Sequence, residues 1–220
     1  MTLRLNGSTS GYTEIDAPAI AGSNTLRLPT GNGVGGNVLT TDGSGNLSWV
    51  DGRRMVLETA KTASGTSVDF TDIPSWAKRV SVNFVNISTN GTSAEIIRIG
   101  DSGGFSASGY EATTSYIVAF GTGGANGTSS PSGFNLMGVA SSTPTNQLSG
   151  RVVIDLVGVS GGLTYWACSG VISRIDSGNY YQKFVAGQKG LSGTLDRVQV
   201  TTITGAASFD NGLVNIIYEG

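Results

Sequence analysis

Side chains able to do acid–base, nucleophilic or metal chemistry are few: ten Asp, five Glu, one Cys and no His in 220 residues. Without His there is no imidazole base, no His-activated Ser or Cys and no His metal ligand. Cys168 alone can form neither an internal disulfide nor a cysteine zinc site. It lies in Tyr165-Trp166-Ala167-Cys168-Ser169-Gly170-Val171, where strand alternation puts Trp166, Cys168 and Gly170 on one face. It therefore reads as a small buried side chain and not as a nucleophile. The acidic residues are scattered singly, so no carboxylate pair for sugar hydrolysis stands out. Gly158-Val159-Ser160-Gly161-Gly162 fits Gly-x-Ser-x-Gly in letters, but Ser160-Gly161-Gly162 reads as a turn between strands with no helix after it, so it is no nucleophile elbow, and no repeat of the parallel β-helix kind appears. The expectation is a chain with no catalytic set, no cofactor and no metal site.

Two Gly-rich stretches invite ligand readings. Gly31-Asn32-Gly33-Val34-Gly35-Gly36 matches G-x-G-x-x-G, but a dinucleotide needs a helix N-terminus after it. The sequence continues as strand-like Asn37-Val38-Leu39-Thr40-Thr41. Asp42-Gly43-Ser44-Gly45-Asn46 resembles part of a calcium loop, yet only Asp51 follows as an acid nearby, so it reads as a hairpin turn. Aromatic residues are more informative. Gly104-Phe105-Ser106-Ala107-Ser108-Gly109-Tyr110 and Asp176-Ser177-Gly178-Asn179-Tyr180-Tyr181-Gln182-Lys183 are the two candidate binding loops. Their candidate contact residues are Phe105, Tyr110, Asn179, Tyr180, Tyr181 and Lys183. An exposed Tyr offers a flat apolar face and a hydroxyl at small entropic cost, which suits a sugar or a protein patch. The alternative is that one Tyr of each pair fills the edge of a β-sandwich. Trp76 and Trp166 sit among apolar strand residues and read as core.

The elements that must position these residues are strands. Gly, Ser and Thr make up 85 of the 220 residues, and charged residues only 13%, a balance that could mean disorder. The apolar residues decide otherwise: Val, Ile, Leu, Phe and Tyr recur in short runs divided by Gly/Asn turns. The chain reads as all-β, without a helix. Arg79 to Ile87 alternates, with Val80, Val82, Phe84 and Asn86 on one face. Further strands are expected over 54–60, 66–70, 94–99, 114–120, 133–139, 150–159, 164–173, 181–185, 195–203 and 212–219. About ten strands at this spacing predict an antiparallel β-sandwich over 53–220. No apolar span is long enough to cross a membrane as a helix, and the first residues do not read as a signal peptide. A net charge of −2 argues against nucleic-acid binding by bulk charge.

Residues 1–52 read differently. Thr2-Leu3-Arg4-Leu5 recurs as Thr25-Leu26-Arg27-Leu28, each copy followed by a Gly/Asn-rich turn, and 37–50 reads as a hairpin. Too few large apolar residues are present for a separate core. Winding with identical copies solves that and covers the exposed strand edges. The segment is expected to be an extended β stalk or attachment piece, with Leu26, Leu28, Val38, Leu39 and Trp49 at the oligomer contact.

Several stretches carry a family likeness. Asp69-Phe70-Thr71-Asp72-Ile73-Pro74-Ser75-Trp76-Ala77-Lys78-Arg79-Val80 resembles a stretch in C-terminal domains of tailed-bacteriophage tail-fibre proteins. So do Leu191 to Thr202 and Phe209 to Glu219. The family stretch often has Gly where Asp72 stands and Val where Ala77 stands. Thr25 to Val50 is similar to segments of fibre proteins of marine and cyanobacterial phages. The stretch from Ser173 to Lys183 matches no family pattern. The resemblance implies an intertwined homotrimeric fibre in the virion. Its N-terminus would join the baseplate or another tail protein, and its distal domain would bind a host surface polysaccharide or outer-membrane protein. A purely structural connector without receptor contact, and a glycan-degrading fibre, are the alternatives.

Overall fold

The computed structural model describes residues 3–20, 22–52, 55–118, 128–138 and 143–220. Expectations for Arg54, Phe120 and Val139, at the ends of predicted strands, lie outside these. All described elements are strands, and the chain divides into two compact units, Met1–Arg53 and Arg54–Gly220.

The N-terminal unit holds two separate antiparallel pairs. β1 (Leu3–Asn6) pairs with β2 (Tyr12–Ile15), and β3 (Asn37–Thr41) pairs with β4 (Leu47–Asp51). The second pair is the predicted hairpin. Asp42 closes its turn: Oδ1 accepts from the Ser44 and Asn46 amides, and Oδ2 accepts from the Asn46 side chain. The Asn46 side-chain bond, then the Ser44 amide, hold the Asp42 carboxyl below its ordinary pKa. Its oxygens serve the turn itself, as the hairpin reading of Asp42 to Asn46 expects. The two Thr-Leu-Arg-Leu copies adopt different structures. The first contributes β1, whereas Arg27 of the second makes a single parallel bridge to Asn46. No described residue of this unit is buried.

The C-terminal unit has two larger antiparallel sheets. Its strands are β5 (Met55–Leu57), β6 (Lys61–Thr62), β7 (Ser67–Phe70), β8 (Arg79–Thr89), β9 (Glu95–Asp101), β10 (Gly104–Phe105), β11 (Tyr110–Val118), β12 (Thr128–Ser130), β13 (Phe134–Asn135), β14 (Gln147–Ser160), β15 (Leu163–Asp176), β16 (Asn179–Leu191), β17 (Arg197–Thr202) and β18 (Phe209–Glu219). One sheet runs β10-β9-β17-β7, with β13 also on β9; the other runs β12-β11-β16-β15-β14-β8-β18-β5, with β6 also on β18. Their facing side chains form one buried cluster. Val68, Ile97, Ile99, Val198 and Val200 come from the smaller sheet, and Val82, Phe84, Val152, Ile154, Trp166 and Ile216 from the larger. Alternation sends every second residue inward, which is the pattern that the sequence carries.

Two readings change. Asn86 does not continue the inward row of Val80, Val82 and Phe84. It is exposed at φ 52°, where β8 shifts register against β18, and Ile87 takes the inward place. Such a bulge breaks the period of two. Trp76 is 40% exposed, tilted against Tyr218 with ring centroids 5.5 Å apart, so it covers the core edge rather than filling it. Trp166 and Cys168 are buried as expected, and burial pushes the Cys168 thiol well up, leaving it un-ionised at neutral pH.

Candidate functional site at the β15–β16 hairpin

Asp176 to Lys183 is not a loop. β15 and β16 pair as far as Asp176 and Asn179, leaving only Ser177 and Gly178 as the turn, at φ 50° and 83°. Two consecutive positive φ values match the right-handed twist of the flanking strands. This tight turn fixes the register, so Tyr180 lies opposite Ile175, Tyr181 opposite Arg174 and Gln182 opposite Ser173.

Alternation then separates the two tyrosines. Tyr181 lies on the inner-facing row and is half-buried. Its ring lies edge-on to Tyr116 at 6.1 Å, and the Arg174 guanidinium carbon is 4.8 Å from its centroid. Arg174 is buried but paired: Nη2 donates to Asp176 at 2.6 Å and Nε donates to Asn146 at 2.9 Å. Lys183 lies behind them, fully buried, donating to the Met137 carbonyl, with Nζ 4.3 Å from the Tyr116 centroid. Burial, then Arg174, pull the Lys183 pKa down to about 8, against opposing pulls from Asp176 and Glu95. Tyr180, on the outer row, is 53% exposed. Beside it opens a cleft of about 420 Å³ lined by Ile117, Ser173, Tyr180, Tyr181 and Gln182. An open phenol ring, an amide, a hydroxyl and an apolar floor suit a sugar ring, with C–H groups stacked and hydroxyls bonded.

The sequence-predicted residues do not gather in one place. Asn179, Tyr180 and Tyr181 lie at this hairpin. Lys183 belongs to the same end but is a core cation, not a surface contact. Tyr110 is likewise corrected: it is buried, edge-on to Phe134 at 5.0 Å, and its hydroxyl accepts from the Ile99 amide at 2.8 Å. Phe105 is half-buried, with the Arg197 guanidinium carbon 5.7 Å from its ring centre. Tyr110 pairs with Lys189 and Val118 with Tyr181, so the two candidate loops occupy opposite ends of β11. Eight residue steps at about 3.3 Å separate them by about 26 Å. Ser173, Gln182 and Ile117 were missed. The two-residue turn gives the register that would have found the first two.

The chain enters this unit at Met55, which pairs with Glu219, itself opposite Arg79, then Asp155. That row is at the Phe105 and Tyr110 end. The hairpin tip is therefore at the end remote from the chain's entry. Among the described residues no three His, Cys, Asp or Glu side chains converge as a metal site. Comparison with protein-family models, curated proteins and solved structures found no match. The stretches Asp69 to Val80, Leu191 to Thr202 and Phe209 to Glu219 touch one another within the C-terminal unit. The Ile73 amide donates to the Asp196 carbonyl at 2.9 Å, the Lys78 amide to the Glu219 carbonyl at 2.6 Å, and Trp76 lies on Tyr218.

Proposed function

We propose that this chain is a subunit of an oligomeric tail-fibre-type attachment protein of a bacteriophage virion. Its N-terminal unit assembles with identical copies, as a homotrimer, and joins another tail protein. Its C-terminal domain, a β-sandwich, binds a host surface glycan through the β15–β16 hairpin. The carrying observation is the contrast between the units: one has a closed apolar core, the other no buried residue among those described. Two-stranded pairs without a covered face are marginal in water at best, so that unit needs partners. The exposed Leu26, Leu28, Val38, Leu39 and Trp49 are available to them. The viral setting rests on the residue resemblance alone. The hairpin is favoured over the Phe105 loop because Tyr180 is open while Tyr110 is buried.

Weak single sites gain from presentation in several copies on one particle. The test is binding of the full-length protein to an array of bacterial surface polysaccharides, beside Tyr180→Ala. Loss of one stacking ring is expected to weaken each site about tenfold, near 1.4 kcal/mol. Equal binding by the variant removes the hairpin from the reading. Absence of any glycan binding favours a connector role.

A further inference from the structure

The two outward faces of the C-terminal domain differ in chemistry. The smaller sheet turns polar, mutually bonded groups outward. Gln199 donates to Asp69 at 2.9 Å, Arg98 to the Ser132 carbonyl at 3.0 Å, and Thr201 to the Thr66 carbonyl at 2.9 Å. The larger sheet turns out apolar residues in cross-strand rows. One row carries Leu57, Ile217, Val153 and Ala186, placed by consecutive pairings through Ser81 and Ser169. In the next, Val171 lies beside Phe184. A third holds Leu213 beside Val85. Val171 is 53% exposed and Val85 57%. Val153, Val171 and Phe184 line a shallow groove of about 750 Å³ in the middle of the sheet. Ser81, Ser169, Asn83 and Arg151 interrupt these rows, yet exposed apolar residues gathered on one face in this way mark interaction surfaces.

We infer that this outer face of the larger sheet is where the C-terminal domains of identical copies pack on one another. Three features select a second copy of this chain as the occupant. First, the charges on the face nearly balance, Arg79 and Arg151 against Asp155, Glu219 and Glu111. Arg79 meets Asp155 at 2.6 Å and Glu219 at 3.7 Å, Arg151 donates to Ser81 at 2.6 Å, and Gln188 donates to Glu111 at 2.6 Å. An identical face therefore meets no strong field of its own sign. Second, the size fits. The six long strands from β11 to β18 make five spacings of about 4.8 Å, and about ten residues of each at about 3.3 Å give roughly 800 Å². That is the area each partner gives to a standard stable interface, about 800 Å². Third, the N-terminal unit independently requires copies. A membrane surface would instead favour a rim of unpaired Lys and Arg. The contact borders the glycan cleft but leaves its ring free: Ser173 and Gln182 lie two residues, about 7 Å, beyond Val171 and Phe184, and Tyr180 lies four residues, about 13 Å, beyond Phe184. The inference rests on the oligomeric reading above, which the N-terminal unit carries and this face does not.

The test uses the full-length chain. Light scattering over a dilution series gives the mass of the wild type and of the double variant Val171→Asp with Phe184→Asp. Six carboxylates brought together in a trimer are expected to raise the concentration of half-dissociation at least tenfold. Folding failure is separated by a milder change: Ala186→Cys, on the same face, treated with a short bismaleimide, beside Ser67→Cys on the polar face of the smaller sheet. Inter-chain cross-links in the Ala186→Cys variant but not in the Ser67→Cys variant support the inference. A wild-type oligomer whose Ala186→Cys variant gives no cross-link, and whose double variant keeps its mass, overturns it and leaves the oligomeric reading standing. A wild type that is monomeric at every concentration overturns both.

Discussion

Lys183 holds a cation in the interior where the surrounding rings, Tyr116 and Tyr181, and the Met137 carbonyl replace water. Its pKa is lowered to about 8 by burial first and by Arg174 second, against Asp176 and Glu95. The sign follows from proton counting. Between about pH 8 and the ordinary Lys value near 10.4, the unfolded chain holds the proton and the folded chain has released it. The unfolded state binds more protons there, so stability from this group rises with pH through that window. Expected is a wild-type melting temperature that gains on Lys183→Met from about pH 8 to about pH 10; a gap that stays constant shows that Lys183 does not titrate there. The interior place of Lys183 was half legible: the strand expected over 181–185 already sets Lys183 in line with Val185, but reading Asp176 to Lys183 as a binding loop set that alternation aside. Asp72 was not legible. Its φ of 64° lies in the left-handed region, where Gly is free and a residue with Cβ is strained, and nothing in Asp69 to Val80 announces that conformation. Cys168 and Trp166 were legible because their surroundings alternate without interruption.

Strand identity was legible wherever apolar residues alternate, and strand length was not. The sequence shows the turn residues Ser177 and Gly178, but only the pairing reveals that they alone form the turn. A misplaced strand end shifts the register and hence which Tyr is open. The bulge between β8 and β18 was likewise hidden, because Asn86 fits the apolar face by count. Gly212 makes that bulge possible. It has φ 99°, and a Cβ there would lie 2.6 Å from the Ile87 nitrogen and the Val85 oxygen. Both atoms are backbone, so neither can turn aside. Gly212→Ala is expected to cost about 2–3 kcal/mol through backbone strain and displacement of the pairing. Chemical denaturation measures it, and a loss below about 0.5 kcal/mol means that the strands accommodate the methyl by sliding. Gly212 lies at the hairpin end of the larger sheet but four strands across from β16, about 19 Å, so glycan binding by the folded fraction should be unchanged.

At the scale of the molecule, the uneven distribution of burial makes the two units differ in what they can do alone. Residues 55–220 contain both sheets and the whole buried cluster, and their strands pair with one another. Residues 1–53 expose Leu3, Leu5, Ile15, Leu26 and Leu28, each more than half accessible. Apolar burial at roughly 25 cal/mol per Å² is the main term opposing chain entropy, and the N-terminal unit lacks it as a single chain. Fragment 55–220 is therefore expected to fold alone and unfold in one cooperative transition, while fragment 1–53 shows no cooperative melting when dilute. If, as proposed, copies supply the missing cover in the full chain, the order of 1–53 should depend on concentration. Hydrogen exchange on the full-length protein reads this directly. Protection of the β3 and β4 amides should fall on dilution, while amides of β9 and β17 in the closed core stay protected. Strong protection of β3 and β4 in a dilute monomer would mean that they are held within one chain, and the stalk reading would lose its physical ground.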